Sequence, residues 1–61
     1  MTAYAINYRN RLDEMMYAIV RKYGLEHGRT VMFATYHEKL YNNATYDNRE
    51  FMEKLFKGWM K

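Results

Sequence analysis

Apolar side chains recur at spacings of three and four along the first third of the chain: Tyr8, Leu12, Met15, Met16, Ile19 and Tyr23. On a helix advancing about 100° per residue they share one face, while Asn10, Glu14, Tyr17 and Arg21 fall on the opposite one. Arg21, Lys22 and Tyr23 then run into Gly24. Basic residues in a last turn followed by glycine mark a helix C-terminus, because glycine adopts the left-handed conformation at little cost. The pattern predicts a first helix over about 4–23.

A joint, GLEHG at 24–28, follows, with a start as early as Leu25 as the alternative. From Arg29, the residues Met32, Phe33, Tyr36 and Leu40 form a second stripe, with Tyr41 at its edge and Val31 and Thr35 on the far side. This predicts a helix over about 29–42. The run RTVMFATY is rich in β-formers, but a lone strand has no partner to pair with. Asn42 and Asn43 suit a C-terminal cap, because asparagine tolerates the left-handed region. Asp47 and Glu50 fit a capping box. Phe51, Met52, Leu55, Phe56 and Trp59 make the third stripe, and Glu50, Glu53, Lys54 and Lys57 its solvent side, predicting a helix over about 47–60.

Three amphipathic helices with short joints point to an all-α fold, a compact three-helix bundle formed by residues 1–61 as a single small helical domain. A chain of 61 residues buries only a modest fraction of its surface. Cysteine is absent, so neither disulfides nor a thiolate metal cluster can supplement the core. Added stability is therefore expected from dense helix packing or self-association. Six methionines and eleven aromatic residues suit both, since large rings bury area on a short chain and both residue types are enriched at interfaces.

Candidate chemistry narrows quickly. His37-Glu38 begins like a zinc-protease motif, but Tyr41 stands where the second histidine would be required, and His27 gives no ligand spacing. No metal or other cofactor is expected. With no cysteine or serine and no glycine-rich phosphate loop, neither an enzyme nor a small-molecule substrate is expected. Asn43-Ala44-Thr45 matches a glycosylation acceptor, but the N-terminus does not read as a secretory signal, so a helix joint is the simpler account. No run of apolar residues reaches the length of a membrane span, and a cytoplasmic location is expected.

Two functional expectations remain. The first is a small non-enzymatic interaction protein that binds a protein partner, or itself as a homodimer, through a Met- and aromatic-rich helical face. Ile6, Tyr17, Val20, Val31 and Met60 lie off or at the margins of the stripes and are the candidate contact residues. Small inhibitors and regulators carried by phage or mobile elements share this size and simplicity, an analogy of scale alone. The alternative is a DNA- or RNA-binding regulator. It would use Arg49, Lys54, Lys57 and Lys61 on the third helix, or Arg21 and Lys22 on the first. The net charge of +3 permits this, but acidic residues dilute both surfaces.

Overall fold

A computed structural model describes residues 3–43 and 46–61, apart from the side chains of Tyr46 and Asp47. Its elements are α1 (Ala3–Tyr23), α2 (Gly28–Asn42) and α3 (Tyr46–Trp59), and no strand occurs among the described residues. The molecule is an all-α three-helix fold measuring 32 × 18 × 15 Å. Each helix starts one residue earlier than the spacing predicts, and α3 ends at Trp59 rather than at residue 60. The expected capping box at Asp47, the Ala44-Thr45 part of the joint and any role of the Tyr46 ring lie outside the described residues.

The α1 stripe forms most of the core. Tyr8, Leu12, Met15 and Ile19 are fully buried, joined by Phe33 from α2 and Met52 from α3. Each such side chain contributes roughly 1.5–3 kcal/mol relative to an exposed position. Gly24 ends α1 at φ 92°, the left-handed conformation that the sequence predicts, and its N–H reaches the Val20 carbonyl at 2.8 Å.

The α2 helix keeps Phe33, Tyr36 and Leu40 of the expected stripe on its inner side but turns Met32 outward. Met32 is 46% exposed, whereas Thr30 is buried beside Phe33. The inward side carries Thr30, Phe33, Tyr36 and Leu40, at helical spacings of three and four, and one of its members is small and polar. A small side chain there lets backbones approach closely, and α1 and α2 are the pair whose backbones do so. The close approach encloses the Thr30 hydroxyl, which has no hydrogen-bond partner among the described residues. Thr35, on the outer face, instead donates to the Val31 carbonyl at 3.1 Å. Asn43 caps α2 at φ −136° rather than in the left-handed region expected of it, and its N–H reaches the Leu40 carbonyl at 3.2 Å.

The α3 backbone stands further off, and large side chains span the gap. Phe33 meets Phe56 and Trp59 with ring centroids 6.5 and 6.0 Å apart, and Tyr36 meets Phe51 edge-on at 5.8 Å. Phe51, expected in the buried stripe, is half-exposed. Glu53, expected on the solvent side, turns toward α1 instead. The Arg11 guanidinium donates to both of its carboxylate oxygens, at 2.7 and 3.3 Å.

Candidate interaction surface

At one end of the molecule, α1 closes off the exposed C-terminal carbonyls of α3. The Lys22 ammonium donates to the main-chain oxygens of Trp59 and Lys61 at 3.0 and 3.1 Å, and the Tyr23 hydroxyl donates to that of Trp59. Arg29 donates to the Tyr23 hydroxyl at 2.9 Å and lies over the Tyr23 and Trp59 rings. Cations at a helix C-terminus complement the unpaired carbonyls and the negative end of the helix dipole. Lys22 is therefore structural as well as exposed.

Beside this end lies an open groove of about 750 Å³, lined by Asp13, Glu14, Tyr17, Ala18, Arg21, Lys22 and Met60. A second groove, of about 400 Å³, is lined by Asp13, Met16, Tyr17, Val20 and His37. Tyr17 and Asp13 belong to both, so the Tyr17 ring, 66% exposed, stands as a ridge between two depressions. The Arg21 guanidinium covers one face of that ring at 4.9 Å. His37 closes the second groove by its ring Nε2 against the Asp13 carboxylate at 2.7 Å, with its ring stacked on Tyr41 at 5.4 Å.

Of the residues singled out for partner contact, the structure brings Tyr17, Val20 and Met60 onto this one surface. Val20 and Met60 are half-buried, Met60 packing against the core, rather than fully displayed. Ile6 and Val31 are half-exposed but line neither groove. The basic residues named for nucleic acid divide. Arg21, Lys22 and Lys61 gather at the C-terminal ends of α1 and α3, whereas half-buried Arg49 lies in the first turns of α3, with Lys54 and Lys57 exposed further along it. The signal that sequence reading missed is that the acidic residues on the polar face of α1, Asp13 and Glu14, line the same groove as Tyr17 and Met60.

Among the described residues, no group of three or more His, Asp or Glu is placed to hold a metal ion, and no helix is long and apolar enough to cross a membrane. No protein-family model, curated protein or solved structure matches the chain.

Proposed function

We propose that the chain is a small non-enzymatic interaction protein whose binding face is the outer surface of α1 around Tyr17, with Val20 and Met60 flooring it. The observation that carries this reading is the Tyr17 ring itself, a large amphipathic side chain standing between two mainly apolar grooves. Tyrosine supplies contact area at low entropic cost and is enriched where proteins meet. A partner gripped in this way is occluded or conformationally biased by the contact, which is how a chain without catalytic groups regulates.

The test is capture of host proteins at moderate and high salt by the wild type and two variants. Tyr17→Asp is expected to lose the captured partner, and Val31→Asp, away from both grooves, to keep it. Capture by Tyr17→Asp at wild-type level would remove the reading. The nucleic-acid alternative makes a different forecast: binding that collapses with rising salt through counterion release and fails in a Lys54→Glu/Lys57→Glu variant.

A further inference from the structure

We propose that the α1 surface is self-complementary and pairs with the α1 of a second copy, antiparallel about a two-fold axis passing between Tyr17 and Ala18. The inference rests on the binding-face reading above and names the occupant of that face.

Two rows of side chains, four residues apart, border the larger groove: Asp13, Tyr17 and Arg21 in one, Glu14, Ala18 and Lys22 in the other. Each row reads acid, uncharged, base from the N- to the C-terminal side. Acid and base are eight residues apart, on the order of 12 Å along the helix axis. That is too far for them to pair within their own helix. The helix dipole accounts for the bases in the last turn of α1, whereas the acids lie in its middle, where Glu14 meets Arg11 and Asp13 meets His37, and the first turn of α1 carries no acidic residue.

An antiparallel copy presents the order reversed. Asp13 then faces the partner's Lys22, Glu14 faces the partner's Arg21, and Tyr17 faces the partner's Ala18. The protruding ring enters the depression over the smallest side chain of the groove, which is ridge-into-groove packing between rows of the same spacing. A two-fold makes every contact twice, so one surface suffices for both partners. Parallel pairing would set acid on acid and base on base, so charge selects the antiparallel arrangement.

The existing contacts of these groups are compatible with the pairing. The Arg21 guanidinium carbon lies 4.9 Å from the Tyr17 ring centroid, and a guanidinium carries five N–H donors that can reach a carboxylate. Glu14 accepts from Arg11 at 3.3 Å and Asp13 from His37 at 2.7 Å, and a carboxylate accepts from several donors at once. Lys22 carries three donors, of which its bonds to Trp59 and Lys61 use two. A single helix crossing buries less than the roughly 1,200 Å² of a standard stable interface, so the dimer forms reversibly with concentration.

Light scattering coupled to size exclusion, from micromolar to millimolar chain, reads the result. The apparent mass of the wild type is expected to rise from 7.5 kDa toward twice that value. Glu14→Arg and Arg21→Glu, both at exposed positions, are each expected to remain monomeric, and the double variant Glu14→Arg/Arg21→Glu to recover the dimer. Circular dichroism confirms that every variant keeps its helices. A wild type that stays monomeric at millimolar concentration overturns the proposal, as does a double variant that fails to recover. Adding Tyr17→Asp separates the two readings. If it abolishes capture of host protein while the wild type is monomeric, the binding face stands and the second copy is the wrong occupant.

Discussion

Among the described residues the Tyr8 hydroxyl has no hydrogen-bond partner, although its side chain is fully buried. Burial, reinforced by Tyr4 nearby and opposed by Arg49, pushes its pKa up from 10.0 to about 12. Because the folded value lies above the unfolded one, the neutral phenol's contribution is complete below about pH 10 and is lost as pH rises toward 12. The loss proceeds at about 1.4 kcal/mol per pH unit. Tyr8→Phe is expected to flatten that alkaline decline. At neutral pH it is expected to leave stability unchanged or raise it by up to ~1 kcal/mol, since an unpaired hydroxyl is removed. Urea unfolding of both proteins across this range checks both parts, and a marked loss at neutral pH would show that the hydroxyl has a partner. Tyr8 was legible as a core position from its spacing. The fate of its oxygen was not, because that depends on which polar groups two other helices bring near.

Among the elements, α2 departs most from its sequence pattern. Its first turn is closed by His27, extended at φ −68° and ψ 143°, whose ring Nδ1 accepts the Arg29 N–H at 3.0 Å. Histidine is not among the usual capping residues, which is why the sequence left it in the joint or at the helix start with no capping role. The same ring packs on Tyr23 at 4.7 Å, so the cap and the α1–α2 joint are one arrangement. His27→Ala should lower stability by about 1 kcal/mol, and His27→Asn should restore most of it if capping is the dominant role. Thermal unfolding of the two variants decides; an Asn variant as weak as the Ala variant would shift the role to the ring contact. The α1 helix, by contrast, was readable almost to the residue, since its stripe is narrow and its glycine stop unambiguous. The α2 stripe was broad enough to admit several rotations, and only docking against α1 selected the one that buries Thr30 and exposes Met32.

At the scale of the molecule, Arg11 and Glu53 join α1 to α3 across the solvent edge of the core. Hydrogen bonding from Arg11, opposed by partial burial, holds the Glu53 carboxyl below its ordinary range. Its stabilising contribution is therefore present above the unfolded carboxylate pKa and is lost as pH falls through the folded value. A double-mutant cycle with Arg11→Met and Glu53→Gln should give a coupling of about 1 kcal/mol at neutral pH, shrinking in acid. Urea titrations of the four proteins at two pH values measure it, and a coupling that persists unchanged in acid would refute the ionic account. Three helices and their order followed from periodicity alone. The groove did not, because Met60 joins Tyr17 and Arg21 only once α3 is laid against α1.

The way α3 is attached bears on how the molecule assembles. The α1–α2 pair closes across a four-residue joint, whereas the contacts binding α3 to Lys22, Tyr23 and Arg11 bridge 36 to 42 positions of sequence. Closing long segments costs entropy before any contact forms, so the first two helices associate early and α3 docks onto a preformed pair. The reverse path follows the same order, and α3 is the first unit to detach when the native state opens. Met60 leaves with it, taking away one wall of the Tyr17 groove. Anything seated there is then held only while the third helix stays docked, and its residence strengthens that docking by mass action.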